Sequence, residues 1–174
     1  MIDFLRFIVD LGENISAFVT WLFLIAFLFN LSSSINKPDK SRVQLSLIMM
    51  VSYSSSAVLS LKTVTYLDYF MFDIVTILIV IIWGIKTKFT IPTALIYLIT
   101  GMSINAMLFL GMHYDTVIIG NIDYWWFWAV YVIGTISIDL LMALVLIINK
   151  DLLGLAWIYN KTKMRVNSLN SALK

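Results

Sequence analysis

The most constraining feature of this sequence is a long apolar run at residues 124–148, which reads YWWFWAVYVIGTISIDLLMALVLII. Its one charged residue is Asp139, near the middle. A helix of about 20 apolar residues crosses the hydrocarbon core of a bilayer, so this run is long enough to span a membrane with some tilt. Aromatic side chains typical of the membrane–water boundary stand at its start: Tyr124, Trp125, Trp126 and Trp128.

The composition extends this interpretation to the whole chain. Only 13% of the residues are charged and 61% are hydrophobic, whereas a soluble domain has about 25% charged residues. The 174 residues include no cysteine and one histidine, which excludes disulfides, a cysteine nucleophile and a multi-histidine metal site. We therefore expect an all-α integral membrane protein in a lipid bilayer, with no metal and no other cofactor.

Four further segments are apolar enough to be spans, and short polar turns separate them. They cover residues 15–34, 43–61, 70–85 (extended back to about 66) and 91–110. Thr90 is expected to cap the fourth span, and Pro92 to lie in its first turn, where a missing N–H costs nothing. Residues 113–123 are expected to form a loop before the fifth span.

The segment at 43–61 is the most polar of these because it is rich in serine. Two architectures therefore stay open: a five-span transmembrane helical bundle, or four spans with this segment re-entrant or interfacial. Residues 1–14 form either an interfacial helix or the start of the first span in the bundle of residues 15–148. Residues 149–174 form an amphipathic, basic tail.

The placement of charge supports five spans. Of the 12 basic residues, all but Arg6 and Lys62 fall on one side of the five-span map. Short cytoplasmic loops carry an excess of Lys and Arg, so this side and the tail are assigned to the cytoplasm. The sequence thus predicts a multi-pass protein of the bacterial inner (plasma) membrane, with its N-terminus outside and its C-terminus inside.

Two acids lie within the predicted spans, Asp139 near mid-membrane and Asp73 toward the outer end. A charge in the hydrocarbon costs about 2.5–3.5 kcal/mol on insertion scales, and such residues usually face the bundle interior. Spacing of four residues places Tyr131, Thr135 and Asp139 on one helix face. We expect an intramembrane polar centre that comprises Asp139, Asp73, Thr135, Asn105 and Ser56.

This polar centre has two interpretations. It is either a protonatable site for proton or cation passage or for sensing, or a set of hydrogen-bonded groups that lock helices together. The serines at 52, 56 and 60 have the spacing of a small-residue packing face. That face suits helix packing or contact between subunits, and the chain is expected to form a homo-oligomer through it: Ser52, Ser56 and Ser60.

No catalytic constellation is present: the chain lacks a phosphate-binding glycine loop, a His-Glu metal motif and a Ser-His-Asp set. His113 is expected to be a solvated loop residue. The basic segments are short, so direct binding of nucleic acid is not expected. The basic residues at the end of the bundle and in the tail are expected to contact a partner or anionic lipid: Lys150, Lys161, Lys163 and Arg165.

The function expected first is a non-enzymatic membrane subunit that acts as a platform or sensor and docks a cytoplasmic effector protein through the tail. By association alone, such small proteins occur in bacterial antiphage defence or toxin-like systems. The alternative is a small oligomeric proton or cation channel or transporter that uses Asp139.

The charge distribution generates a topology prediction. Green fluorescent protein fused after residue 174 should fluoresce in cells, because it folds in the cytoplasm, and alkaline phosphatase at the same position should be inactive. Fusions after residue 64 should give the opposite pattern. An active phosphatase at residue 174 would contradict the assigned orientation.

Overall fold

The computed structural model describes residues 2–59, 65–88, 91–121, 123 and 125–172, with the backbone alone at 2–14, 16, 59 and 166–172. Within these residues the protein is all-helical, without a β-strand. A π-helical turn, Tyr114–Ile118, continues the fourth helix. The helices are α1 (Ile2–Ser33), α2 (Ser41–Leu59), α3 (Tyr66–Lys86), α4 (Ala94–His113), α5 (Trp126–Ile148) and α6 (Leu155–Ala172).

Three helical segments are long and apolar enough to cross a membrane, which indicates a membrane protein. They are Tyr66–Lys86, Ala94–Ile118 and Trp126–Ile148. A shorter apolar segment, Ala17–Ser33, lies within α1. Large apolar side chains on the outer faces of the helices are exposed, as expected for groups in contact with lipid, and they include Trp21, Leu78 and Ile133.

The first five helices form a ring. Each packs against its neighbour in sequence, and α5 closes the ring by packing against α1. One half of the ring, next to the α1–α2 and α3–α4 turns, holds a close-packed apolar core of buried side chains that includes Phe23, Leu45, Met49, Leu98, Met142 and Leu146. Because lipid is as apolar as these side chains, packing contacts and hydrogen bonds hold the helices together there.

Close approach of α4 and α5 in this core depends on Gly101. A Cβ atom at this position would lie 2.5 Å from the Sδ atom of Met142 on α5. Small residues allow helix backbones to approach closely in membranes. Two hydrogen bonds add ties between other helices: Asn30 Nδ2 donates to the carbonyl of Leu146 at 3.0 Å, and Trp83 Nε1 donates to Gln44 Oε1 at 3.0 Å.

Two predictions about α4 are wrong. The helix begins at Ala94, with Thr93 as its N-cap, so Pro92 is buried just before the helix rather than in its first turn. The chain also stays helical through His113 to Ile118, where a loop from residue 113 was expected. Thr90, the predicted cap, lies outside the described residues.

The loop prediction is wrong at the π-helical turn because the polar side chains of this turn form hydrogen bonds with nearby residues. Asp115 is only 5% exposed. Its carboxylate accepts hydrogen bonds from Trp125 Nε1 at 2.9 Å and Asn121 Nδ2 at 3.2 Å. The hydroxyl of Thr116 donates to the carbonyl of Met112 at 2.7 Å. A helix can therefore continue through these residues without unpaired polar groups.

A turn separates α5 from the tail helix α6. It starts at Asn149, in the left-handed conformation with φ 52°, and ends at Gly154, with φ 74°. The phenol of Tyr97 on α4, itself 2% exposed, donates to Asp151 Oδ1 at 2.5 Å and accepts from the Leu153 N–H at 2.6 Å. The bond from Tyr97 is the main reason why the pKa of Asp151 lies below its ordinary value.

The carboxylate of Asp151 also caps α6. It accepts hydrogen bonds from the backbone N–H groups of Ala156 at 3.3 Å and Trp157 at 2.9 Å. These are two of the N–H groups that lack a partner within a helix at its start. The tail helix is thus attached to α4 through one buried tyrosine and one carboxylate.

Candidate functional site

A cavity of about 480 Å³ lies inside the ring of α1 to α5. The residues that line it come from the halves of the helices nearer the α2–α3 and α4–α5 connections. The cavity therefore occupies the half of the bundle opposite the apolar core. All five helices contribute to its wall, among them Thr20, Tyr53, Asp73, Asn105 and Asp139.

Asp139 joins three helices at the cavity. Its Oδ1 atom accepts hydrogen bonds from the hydroxyl of Tyr53 on α2 at 2.5 Å and from Nδ2 of Asn105 on α4 at 2.7 Å. Asp139 lies about 20 Å along α5 from its first residue, at 1.5 Å per residue. The two donors satisfy part of the acceptor capacity of a carboxylate that is withdrawn from bulk water.

Asp73 is the second acid in the cavity wall. It lies on α3, about 10 Å from the start of the helix at 1.5 Å per residue. Its Oδ2 atom is buried and has no hydrogen-bond partner among the described residues. Buried polar atoms in proteins are usually paired, so an unpaired carboxylate oxygen on a cavity wall indicates a position where a further group can bind.

Aromatic side chains form much of the remaining wall. The ring of Tyr69 stacks on Phe109 at a centroid distance of 5.3 Å, and Phe109 packs edge-on against Tyr131 at 5.8 Å. Tyr66 meets Tyr131 at 5.7 Å in a T-shaped arrangement. Together with Trp128, these rings give the cavity an amphipathic surface, apolar in bulk with a few polar groups.

The structure brings the predicted members of the polar centre to this one cavity, because Asp139, Asp73, Thr135, Asn105 and Ser56 all line it. The hydroxyl of Thr135 donates to the backbone carbonyl of Tyr131 on its own helix at 2.9 Å. Thr135 therefore contributes to the wall, and it does not bond to either acid.

Two serines of the predicted stripe on α2 face the same cavity. Ser52 and Ser56 line it, and the hydroxyl of Ser52 is hydrogen-bonded to that of Thr76 on α3 at 2.7 Å. Ser60 lies outside the described residues. Ser52 therefore contributes a contact between α2 and α3.

Tyr53 was not predicted as a partner of Asp139. Two other phenols, those of Tyr69 and Tyr131, lie in the cavity wall. The available signal was chemical: a buried tyrosine hydroxyl needs a hydrogen-bond partner, and Tyr53 stands among the serines of a span with a polar inner face.

The aromatic residues at the start of α5 have three different environments. Trp126 is 63% exposed, as expected of a side chain at the membrane boundary. Trp125 instead donates to Asp115, and Trp128 lines the cavity.

The remaining candidate residues lie away from the cavity. His113 ends α4, and its Nδ1 atom is buried. The four basic residues expected to contact a partner or lipid are exposed, and the ammonium of Lys161 lies 4.6 Å from the centroid of the Trp157 ring. They are Lys150, Lys161, Lys163 and Arg165.

The charge of the cavity is one-sided. Among the described residues that line it, two are acidic and none is Lys, Arg or His. Such a surface favours a proton or a cation and repels anions. Comparisons with known protein families, curated proteins and solved structures find no match.

The hydrogen bonds at Asp139 lead to a prediction about stability. In a double-mutant cycle of Tyr53→Phe and Asp139→Ala, we expect a coupling free energy of about 1–2 kcal/mol, above the ~0.6 kcal/mol average for hydrogen bonds between membrane helices, because the acceptor is a carboxylate. Denaturant titration in mild detergent measures the free energy of unfolding. The control is a double-mutant cycle of Tyr159→Phe, at an exposed tyrosine on α6, and Asp139→Ala. This control cycle should show no coupling. The effects of independent substitutions on the free energy of unfolding usually add to within about 0.3–0.5 kcal/mol. A coupling free energy below about 0.3 kcal/mol would therefore contradict the hydrogen bond between Tyr53 and Asp139.

Proposed function

We propose that this chain is a multi-pass membrane protein that binds protons or cations in its central cavity and passes them across the membrane. The observation that carries the proposal is that two acids, Asp139 and Asp73, lie on the wall of one cavity. Among the described residues that line this cavity, none is basic. Intramembrane acids of this kind mark ion and proton pathways.

Electrostatics support a cation as the occupant. A carboxylate loses its hydration inside a membrane protein, and a second carboxylate in the same cavity adds repulsion. A proton or a bound cation offsets both costs. Asp139 receives partial compensation from Tyr53 and Asn105, whereas the free oxygen of Asp73 receives none from the described residues.

The proposal includes five spans, with the N-terminus outside and the C-terminus in the cytoplasm of a bacterial cell. Helix α2 supports this count, although it is not one of the three segments that are long and apolar enough to cross a membrane by composition. Its 19 residues extend about 28 Å at 1.5 Å per residue, close to the ~30 Å hydrocarbon thickness. Three of its polar side chains, at positions 52, 53 and 56, line the cavity. Leu47, Val51 and Val58 are exposed on the outer face.

In this orientation the cavity lies in the outer half of the bundle. The basic turns occupy the opposite end, where Lys37, Lys86 and Lys150 are exposed. A cation would therefore enter from the outer side and meet Asp73 before Asp139. The close-packed core between the cavity and the basic turns is the part that must open for transport.

The test is a flux measurement in liposomes loaded with a pH-sensitive dye or with potassium. The parent protein should conduct protons or a monovalent cation, and Asp139→Asn should lower the rate by about tenfold or more, because the substitution removes the titratable charge. Asp123→Asn, at an exposed acid outside the cavity, should conduct like the parent. Absence of flux in the parent protein, or equal flux in Asp139→Asn, would overturn the proposal.

The exposed tail favours a second candidate, a membrane platform or sensor that docks a cytoplasmic effector. Helix α6 presents basic side chains together with exposed apolar ones, Trp157, Ile158 and Met164. An amphipathic basic helix suits an acidic protein partner or the headgroup region of the membrane.

Deletion of the residues after Lys150 separates the two candidates. If the chain is a conductor, the truncated protein should keep its liposome flux within about twofold, since the cavity residues all precede the deletion. If it is a platform, the full-length protein should copurify with another polypeptide from native membranes, and the truncated protein should not. Recovery of the full-length protein alone in mild detergent would count against the platform.

A further inference from the structure

We propose that the ligand of the central cavity is an organic monocation, a protonated or quaternary amine that carries an aromatic ring. This inference rests on the proposed function in one respect, that the cavity takes a cation. It adds the chemical class of that cation and assigns Asp73 as its counter-ion.

The size of the cavity favours an organic ligand over a bare ion. A volume of about 480 Å³ falls within the ~300–1,000 Å³ range of small-molecule sites. Sites for hard metal ions instead surround the ion with about six or more oxygen ligands. Among the described residues, no group of three or more His, Cys, Asp or Glu is placed to hold a metal ion.

The aromatic wall supplies the second argument. A cation over the face of Tyr, Phe or Trp is attracted by the ring quadrupole, most strongly where water is excluded. Tyr69 and Phe109 are stacked, and Tyr131 packs against Phe109 from the side, so these three rings form one continuous surface in the cavity. An aromatic substituent on the ligand can pack on the same surface.

The two acids divide the remaining role unequally. Asp139 already accepts two hydrogen bonds at Oδ1, from Tyr53 and Asn105. Asp73 has a buried oxygen with no partner among the described residues, on the wall that also holds the rings. Asp73 therefore offers a buried carboxylate oxygen that no described residue bonds, so it is the residue that pairs with the ammonium group.

The test uses benzyltrimethylammonium, a quaternary amine with one aromatic ring, added to the full chain in neutral detergent. Isothermal titration calorimetry should show saturable binding to the parent protein, and Asp73→Asn should weaken it by about tenfold or more, because a desolvated charge pair is lost. Asp73→Glu should recover most of the affinity. Asp123→Asn is the matched control, an exposed acid outside the cavity that should bind like the parent.

The parent protein alone provides a second measurement that does not depend on any variant folding. Benzyltrimethylammonium should raise its heat-unfolding midpoint, whereas sodium, potassium or calcium chloride at equal ionic strength should not. No binding to the parent, equal stabilisation by the inorganic salts, or unchanged affinity in a folded Asp73→Asn protein would overturn the inference.

The outcomes also separate this inference from the proposed function. Flux of protons or potassium without binding of benzyltrimethylammonium would leave the proposed function in place and overturn the ligand class. Binding of benzyltrimethylammonium that needs Asp73, without flux of protons, potassium or benzyltrimethylammonium itself, would support the ligand site and overturn transport.

Discussion

The arrangement of the bundle depends on how one carboxylate inside the ring of helices is held. Asp139 is held there by Tyr53 and Asn105, which come from two other helices. In hydrocarbon, an acceptor without donors costs several kcal/mol, on the order of 2–7 by transfer data. These two hydrogen bonds therefore constrain the rotation of α2, α4 and α5 about their axes, because any other rotation would separate the donors from the acid.

The two halves of the ring meet this constraint in different ways. In one half, buried apolar side chains such as Phe23 and Met142 pack against one another, and contact between them is the stabilising force. In the other half, polar and aromatic side chains surround a cavity. The second half gives up packing contacts, and this loss is consistent with the site proposed there.

The helices were largely predictable because the apolar runs are long and their ends carry clear signals. The start of α3 at Tyr66 agrees with the prediction, since Thr65 and Asp68 form a capping box there. Grouping of Asp139, Asp73 and Asn105 at one site was also predictable, because polar groups in a span turn away from lipid. The continuation of α4 past His113 was not, since it depends on bonds from Trp125 and Asn121 to Asp115 that only the folded chain forms.

The link between Tyr97 and Asp151 has a mechanical consequence. Tyr97 and Asn105 belong to the same rigid helix and are about 12 Å apart along it, at 1.5 Å per residue. One grips the turn that begins α6, and the other grips the acid in the cavity. Helix α4 thus connects the cavity with the turn that precedes α6. Between these two hydrogen bonds the chain is helical throughout, so no loop separates the cavity acid from the turn that begins the tail helix.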